Sequence, residues 1–336
     1  MIIIEIINLK NYKYNYDLIK KITKKEIIPV IKSNAYGLGL EKVANTLKDA
    51  SIIAVNSIEE VDRLNKLKRN FQILFLNKLE LNEYNKIKIF DNLILSVRSE
   101  TDALNMKNYL DLSSIKVHIY IDTGMNRFGI KNHNEYKKVL EILSCDKFII
   151  DGVYTHITSL NNYQKQKELF DSYLTIFKPR LTHVCATSTY MYCESYDACR
   201  IGLEIICSKK NYYKNVMTLK VKAIELRVIE QNQTLGYNEG YKANKKTYVA
   251  ILPVGYSNGL DRSLTGYSVY CCSRYYKIIG VICMNHMFVE VDKTFNIQNE
   301  IEIISKNNSI HKMAEYLKTI PGEILTRLNF PKTYIE

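Results

Sequence analysis

Between residues 26 and 206, short apolar runs alternate with longer segments whose apolar positions have helical spacing. In one of these segments, SIEEVDRLNKL, Ser57 and Glu60 form a capping-box pattern, and Ile58, Val61 and Leu64 recur on one helical face. Eight strands alternating with helices predict a (β/α)8 TIM-like barrel, and a doubly wound open sheet is the alternative. The predicted strands are Ile27–Ile31, Ile52–Val55, Ile73–Leu76, Leu93–Val97, Val117–Ile121, Phe148–Tyr154, Thr182–Ala186 and Ile201–Ile205.

The pattern changes after about residue 212. The segments that follow are rich in β-forming residues and have no comparable helices between them: TLKVKAIELRVI, KTYVAILPV, YYKIIGVIC and HMFVEVD. Turn residues such as Gly236 and Gly266 separate these segments. We therefore predict that residues 1–212 form the barrel and that residues 213–336 form a C-terminal, mainly-β domain.

The positive charge of the chain raises the question of a nucleic-acid partner. The net charge is +12 and the pI is near 9.1, but the lysines are scattered through helical segments. The sequence has no RNP-like motif, no zinc-finger spacing and no single dense basic stripe. It is crowded with Ile, Lys, Asn and Tyr and has no Trp, a bias typical of AT-rich coding sequence. We attribute the charge to this bias and expect no nucleic-acid partner.

Membrane, secreted and metal-binding proteins are disfavoured because the sequence lacks their characteristic patterns. No run approaches the roughly 18 apolar residues of a membrane helix. The N-terminal order, apolar residues first and then Glu5 and lysines, is the reverse of a signal peptide. The eight cysteines contain no CxxC pair, so no zinc or other metal site is indicated. We expect a cytoplasmic protein with reduced thiols and no membrane partner.

Lys32 ends the first predicted strand, in EIIPVIKSNAYGLG. Functional residues of barrel enzymes lie at the C-terminal ends of the strands. A lysine at such a position can be structural, with its stem along the barrel and its ammonium group in water. Alternatively, the barrel walls desolvate the amine, lower its pKa and make it able to form a Schiff base. The local sequence allows both interpretations.

Further polar groups follow the later strands. Arg127 follows strand five in HIYIDTGMNRFGI, and His156 follows strand six in GVYTHIT, where a lone histidine is more often structural than catalytic. Ser188 stands where a helix would begin with N–H groups for an anion. Arg200 precedes Gly202, which lets backbone approach a ligand closely. A lysine, two arginines, a histidine and a serine suit a phosphorylated carbonyl cofactor better than a metal or a hydrolytic triad.

These segments resemble the alanine racemase family. IKSNAYGLG resembles the family's pyridoxal-phosphate lysine motif, and the other motifs follow in the family's order: IDTGMNRFG, GVYTH, CRIGLEI, LGYNEGY, LPVGYSNG and VICMN. The resemblance extends over the whole chain. It implies a barrel followed by a β domain, pyridoxal 5'-phosphate as the cofactor, and a homodimer with shared active sites. The implied activity is interconversion of L-alanine and D-alanine, which supplies D-alanine for peptidoglycan.

The resemblance also implies roles for individual residues. Lys32 holds the cofactor and is one of two acid/base groups, and Tyr237, supplied by the partner subunit of a head-to-tail dimer, is the other. By the same resemblance, the phosphate is bound by Tyr36, Ser188 and the backbone of Gly202 and Leu203. Arg200, beside His156, contacts the pyridine nitrogen, and Arg127 contacts the cofactor's phenolic oxygen and the substrate carboxylate. The N–H of Met284 also binds the carboxylate, and Tyr256 narrows the entrance.

The chain departs from the family pattern at several positions. Tyr120 stands where many members have a carbamylated lysine that holds the arginine equivalent to Arg127. Thr187 replaces an asparagine, Asn285 an aspartate, and Leu328 a tyrosine that binds the phosphate. Substrate identity is therefore less determined than reaction type. The alternatives are a racemase for serine or another small amino acid, a non-racemising pyridoxal-phosphate-binding protein, and a decarboxylase with the same barrel.

Overall fold

The structure, a computed structural model, describes residues 3–110, 114–184, 189–192 and 194–336. The chain forms two compact units. The barrel unit comprises Tyr16–Ala35 and Gly39–Ile205, and the β-rich unit comprises Met1–Asn15, Tyr36–Leu38 and Ile206–Glu336.

Strands and helices occur in both units. The strands are β1 (Ile3–Asn8), β2 (Glu26–Pro29), β3 (Ile52–Val55), β4 (Gln72–Phe75), β5 (Leu93–Val97), β6 (Ile115–Tyr120), β7 (Phe148–Tyr154), β8 (Leu181–Val184), β9 (Ala198–Ile201), β10 (Met217–Lys222), β11 (Glu225–Ile229), β12 (Thr234–Leu235), β13 (Tyr241–Lys242), β14 (Thr247–Leu252), β15 (Ser268–Cys271), β16 (Arg274–Ile279), β17 (Met287–Val291), β18 (Glu300–Ile304) and β19 (Lys332–Ile335). The helical segments are α1 (Leu9–Thr23), α2 (Lys32–Tyr36), α3 (Leu40–Thr46), α4 (Ile58–Asn65), α5 (Glu100–Tyr109), α6 (His133–Leu143), α7 (Tyr163–Leu174), α8 (Leu203–Cys207), α9 (Ile310–Tyr316) and α10 (Pro321–Arg327).

The barrel unit is built on parallel strands in the order β2-β9-β8-β7-β6-β5-β4-β3. The two outer strands of this order, β2 and β3, are joined by an isolated bridge between Val30 and Ala54, which nearly closes the barrel. Strands β3, β5, β8 and β9 are buried at every position, as expected for parallel strands covered on both faces. The predicted (β/α)8 barrel is confirmed, and the open doubly wound sheet is wrong.

The last predicted barrel strand lies too late in the sequence. Ile201–Ile205 was expected to be extended, but β9 is Ala198–Ile201 and pairs with β2 and β8. Gly202 follows the strand, and the next residues form α8. An apolar run of this length does not by itself distinguish a strand from a short helix. The predicted strand Thr182–Ala186 is observed as Leu181–Val184, and residues 185 and 186 lie outside the described part of the chain.

The helix predicted in SIEEVDRLNKL is α4. Its apolar face is buried at Ile58, Val61 and Leu64, as expected. The Ser57 side chain accepts a hydrogen bond from the Glu60 N–H at 3.2 Å, which stabilises the start of the helix. The Glu60 side chain does not complete the capping box, because its carboxylate accepts hydrogen bonds from the N–H groups of Asn34 and Asn56 instead.

The β-rich unit contains a nine-stranded sheet in the order β11-β14-β17-β16-β15-β18-β10-β1-β19. Buried positions alternate with half-buried ones in β10, β15 and β17, the pattern of a sheet with one face packed on the core. Strand β1 pairs antiparallel with β10 and parallel with β19. The sequence did not predict this strand, because a single apolar run before a helix gives no indication of its partners.

Within the described ranges, no helix has both the length and the apolar composition that crossing a bilayer requires. The same ranges contain no cluster of three or more His, Cys, Asp or Glu side chains arranged to bind a metal.

Candidate active site

Lys32 follows a backbone segment that both neighbouring strands anchor. The Val30 N–H donates to the Ile201 carbonyl at 2.8 Å, and the Ile31 N–H donates to the Ala54 carbonyl at 2.9 Å. The lysine side chain is half-buried at this end of the barrel. The structure thus places Lys32 at a carboxyl strand end, as the sequence predicted.

The four residues after Lys32 form a left-handed turn. Ser33, Asn34, Ala35 and Tyr36 have φ angles of 54°, 55°, 55° and 55°. A residue with a side chain is disfavoured there by roughly 1–2 kcal/mol, so interactions from elsewhere must hold the turn. Within the barrel unit, one of these is the 3.0 Å hydrogen bond that the Gly39 N–H donates to the Asn34 carbonyl.

Helix α4 supplies further support for this left-handed turn. The Asn34 N–H donates to Glu60 Oε1 at 2.9 Å, and the Asn56 N–H donates to Glu60 Oε2 at 3.2 Å. Arg63 donates to Asn34 Oδ1 at 2.9 Å and is itself bound by both Glu41 oxygens at 2.6 and 2.8 Å. Glu60 therefore connects the turn to α4 instead of completing the capping box.

Burial and neighbouring positive charges lower the pKa values of Lys32 and His156 in the site. Burial lowers the pKa of Lys32, the charge of Arg127 lowers it further, and Glu60 opposes both effects. Burial also lowers the pKa of His156 to about 3, with added lowering by Arg200, Arg127 and Lys32. The structure thus brings together four predicted site residues, and His156 is a neutral imidazole at physiological pH.

Arg200, on β9, is a buried guanidinium that is 5% exposed. Its Nη1 contacts His183 Nδ1 at 2.6 Å and donates to the His183 carbonyl at 3.2 Å, and its Nη2 donates to the Thr155 carbonyl at 2.7 Å. The guanidinium also lies over the Tyr154 ring, 4.6 Å from its centre. These contacts fix the orientation of the arginine in the barrel.

A column of stacked rings lies beside Arg200. Tyr120 stacks on Tyr154 with ring centres 4.7 Å apart, and Tyr154 stacks on His183 at 4.8 Å. The Tyr154 hydroxyl donates to Ser96 Oγ at 2.9 Å. The buried Tyr120 hydroxyl forms no hydrogen bond of good geometry among the described residues, although the Arg127 side chain lies close to it. Burial raises the pKa of Tyr120, and the positive charges of Arg200 and Arg127 oppose that effect.

Arg127 lies in a closed loop at the end of β6. The Asp122 N–H donates to the Ile130 carbonyl at 2.9 Å, and Asp122 Oδ1 accepts the N–H groups of Gly124 and Asn126 at 3.0 Å each. These bonds fold the loop back on the strand, and the Arg127 side chain is exposed. The loop therefore presents the guanidinium at the same end of the barrel as Lys32.

The residues expected to bind a phosphate are described only in part. Gly202 is buried at the end of β9, and Leu203 is half-buried at the first position of α8. Burial raises the pKa of Tyr36 to about 12, so its hydroxyl keeps its proton and can donate. Ser188 lies outside the described residues.

In the β-rich unit, Tyr237 is 67% exposed. It follows Gly236, whose φ of 78° requires glycine, and precedes Asn238 and Glu239, which have φ angles of 52° and 51°. Tyr237 lines an open cavity of about 480 Å³ together with Cys283, His286 and Phe288, among others. This tight turn presents the phenol to the outside of its unit.

Tyr256 and Met284 lie on two segments of the β-rich unit that are bonded to each other. The Tyr256 N–H donates to the Cys283 carbonyl at 3.1 Å, and the Ser257 N–H donates to the Met284 carbonyl at 3.0 Å. Asn285 Oδ1 accepts the Ser257 hydroxyl at 2.7 Å. The side chains of Tyr256 and Met284 are 43% and 54% exposed.

The sequence did not identify three buried polar residues behind Arg200. His118, His183 and Asp151 are 0%, 0% and 5% exposed. A signal for them exists, since a histidine or aspartate in an otherwise apolar barrel strand must have a buried partner. The sequence alone does not show which partner that is.

The fold and these residues define a class: a nearly closed parallel barrel with an amine of lowered pKa at a strand end, followed by a β-rich unit. Residues 7–208 match the family model "Alanine racemase, N-terminal domain", and residues 216–334 match "Alanine racemase, C-terminal domain". The chain therefore belongs to the alanine racemase family.

Individual relatives agree with this assignment. The chain is 29% identical to the alanine racemase of Borreliella burgdorferi (strain ZS7), covering 96% of this chain and 94% of the relative. It shares its fold with the crystal structure of alanine racemase from E. faecalis, at a TM-score of 0.92 and 22% identity over 99% of this chain and 98% of that one. It also matches alanine racemase from Bartonella henselae with covalently bound pyridoxal phosphate, at a TM-score of 0.90 and 22% identity over the full length of both chains.

Proposed function

We propose that this protein is a pyridoxal-phosphate-dependent alanine racemase that interconverts L-alanine and D-alanine. The observation that carries the proposal is Lys32, half-buried at a barrel strand end, with a pKa lowered by burial and by Arg127. A neutral amine at this position can attack a carbonyl group. Family membership supports the same activity.

The residues of the barrel unit fit pyridoxal phosphate. A buried guanidinium at Arg200 suits an aromatic nitrogen acceptor, the neutral His156 adds no charge, and the backbone at Gly202 allows close approach of a phosphate. When bound, pyridoxal phosphate withdraws electrons from the amino-acid Cα and so acidifies its proton.

The protein supplies two bases, because racemisation removes the Cα proton on one face and returns a proton on the other. Lys32 serves one face, since its lowered pKa increases the fraction of free amine that can accept a proton. Tyr237 serves the opposite face, in a homodimer in which each site takes this tyrosine from the other subunit. The exposure of Tyr237 on its own chain supports that arrangement.

Substrate orientation falls to the residues around the site entrance. Arg127, exposed on its loop, binds the substrate carboxylate together with the N–H of Met284, and Tyr256 narrows the entrance. Tyr36, Ser188, Gly202 and Leu203 hold the phosphate.

We further propose that the enzyme works in the cytoplasm and supplies D-alanine for peptidoglycan. A racemase for serine is the second candidate, and it is favoured by two substitutions, Leu328 in place of a phosphate-binding tyrosine and Asn285 in place of an aspartate at the substrate end. Leu328 is buried and has no hydroxyl, and the uncharged Asn285 is bonded to Ser257. These substitutions remove a hydroxyl group and a negative charge that other family members have at these positions.

The test is a chiral assay of the purified, yellow holoenzyme over the twenty L-amino acids. We expect the highest kcat/KM with L-alanine, and a higher value with L-serine would overturn the substrate assignment. Borohydride reduction followed by mass spectrometry should locate the cofactor on Lys32, and Lys32→Ala should lose it. Cofactor that stays covalently bound to this variant would show that another lysine is the attachment site.

A further inference from the structure

A line of hydrogen bonds crosses the interior of the barrel unit behind Arg200. Arg200 Nη1 lies 2.6 Å from His183 Nδ1, His183 Nε2 lies 2.8 Å from His118 Nδ1, and His118 Nε2 lies 3.4 Å from Asp151 Oδ2. At the far end, Arg180 donates to both Asp151 oxygens at 2.6 and 2.8 Å. The line connects a buried cation to a carboxylate through two imidazoles.

The chemistry of the end groups fixes the proton on each ring. An arginine only donates, so His183 Nδ1 must be the acceptor and His183 Nε2 carries the proton. His183 Nε2 then donates to His118 Nδ1, which leaves the His118 proton on Nε2, facing the carboxylate of Asp151. Since Nδ1 of each ring accepts, each ring carries one proton and is neutral, and burial lowers the pKa of both histidines, which favours the same state. Every donor in the line therefore points away from Arg200.

The register of strands β6 and β7 leaves room for this line of hydrogen bonds. The register of β6 and β7 shifts between Val117 and His118. As a result, no residue of β6 lies opposite Asp151 in the strand pairing, and Gly152 lies opposite His118. This is a β-bulge, which redirects a side chain locally. A Cβ atom at Gly152 would lie 2.7 Å from the His118 ring, so only glycine leaves room for the imidazole.

We propose that His118 and Asp151 are positioning residues, which hold the His183 ring as a hydrogen-bond acceptor and thereby fix the direction of the Arg200 guanidinium. The part of this inference that concerns the reaction rests on the proposed function, in which Arg200 meets the cofactor. Arg180, with a side chain that is 61% exposed, holds Asp151 as an ionised carboxylate. Its guanidinium and the His118 proton both keep the pKa of Asp151 well below its usual range.

The direct measurement is ¹⁵N NMR of the holoenzyme labelled at its histidines, of which the sequence has only six. Single His→Gln variants assign the signals. We expect His118 and His183 to be neutral with the proton on Nε2. A proton on Nδ1 of either ring, or a charged ring at neutral pH, would overturn the inference whatever the activity of the protein.

Asp151→Asn tests the consequence. Because Arg180 only donates, it attracts the amide oxygen, and the amide NH₂ then faces His118 Nε2. That arrangement reverses the proton positions in both rings and sets a His183 N–H against Arg200. We expect reversed ¹⁵N signals together with a fall in kcat of roughly tenfold to a hundredfold, the size of effect found when the hydrogen-bond partner of a metal-bound histidine is removed, and a smaller change in KM.

The double variant Asp151→Asn/Arg180→Met provides the rescue. Without the arginine, the amide oxygen is free to accept from His118, so the original proton positions and much of kcat should return. Asp171→Asn is the control, since Asp171 pairs with Lys167 and Tyr196 in the same unit and should change neither readout.

The outcomes separate the two proposals. A fall in kcat with unchanged proton positions, reversed positions with normal kcat, or no change in either would each overturn the positioning role. A wild-type protein that racemises no amino acid would overturn the proposed function, while its ¹⁵N spectrum would still decide the direction of the line.

Discussion

Lys32 and Tyr237 reach their proposed roles by different physical routes. Lys32 is prepared within its own chain, where burial and Arg127 lower its pKa. Tyr237 is 67% exposed on its chain. The groups that prepare it as a base must therefore come from the partner subunit in the proposed dimer. The two bases should respond differently to substitution.

Tyr237→Phe should cause a loss that depends on the enantiomer. If the tyrosine takes the proton from L-alanine, its removal leaves Lys32 free to exchange the Cα proton of D-alanine. Loss of a general base reduces the rate roughly a hundred- to ten-thousandfold, so exchange from L-alanine should almost stop. Deuterium wash-in at Cα, followed by NMR for each enantiomer, measures both rates. Equal losses would contradict the assignment of two bases.

Tyr120 and Tyr154 offer a matched pair of substitutions on stacked rings. Among the described residues, no group forms a hydrogen bond of good geometry with the buried Tyr120 hydroxyl, whereas the Tyr154 hydroxyl donates to Ser96. A buried unpaired polar group costs about 1–3 kcal/mol. Tyr120→Phe should therefore leave the free energy of unfolding unchanged or raise it by about 1 kcal/mol, and Tyr154→Phe should lower it by a similar amount. Urea unfolding checks both, and a Tyr120→Phe variant less stable than Tyr154→Phe would refute this expectation.

At the scale of elements, the site depends on how α4 meets the left-handed turn Ser33–Tyr36. Glu60 accepts N–H groups from Asn34 and Asn56 with its two oxygens. Its charge also raises the pKa of Lys32 against the effect of burial. One side chain thus supports the backbone of the turn and limits how far the lysine pKa falls.

Glu60→Gln should act on both properties. The amide keeps one acceptor and sets its NH₂ against an N–H group, which should lower the free energy of unfolding by about 1–3 kcal/mol. Removing a negative charge should also lower the pKa of Lys32 further, so the apoenzyme's lysine should become reactive at lower pH. Competitive acylation across pH, read by mass spectrometry, measures this shift. The control is Glu59→Gln, an exposed neighbour on α4, and a rise in the Lys32 pKa would contradict the expected sign.

The sequence predicted the barrel because parallel strands buried on both faces leave continuous apolar runs that are easy to recognise. It predicted Lys32, Arg127, His156 and Arg200 as a group because strand ends of a barrel converge. It could not predict the left-handed turn, since Ser33, Asn34 and Ala35 have no local preference strong enough to require it. Nor could it predict the bulge at Asp151, because a shift in register is a property of two strands together.

At the scale of the whole molecule, the proposed dimer makes activity a property of two chains. Mixing inactive Lys32→Ala with inactive Tyr237→Phe should restore up to about a quarter of the activity, because random pairing makes half of the dimers mixed, each with one intact site. Racemisation rates after subunit exchange, with exchange verified by mass spectrometry, test this. No recovery would place both groups on one chain.

The left-handed turn also has a consequence for the order in which the protein is made. The side chains that hold Asn34, Glu60 and Arg63, follow it by 26 and 29 residues. During synthesis, Lys32 therefore leaves the ribosome before the helix that shapes its surroundings exists. The nascent lysine is solvated, and the burial that lowers its pKa arises only after the first two β/α repeats have assembled. In the proposed enzyme, we therefore expect the cofactor to attach to Lys32 only once this part of the barrel has folded.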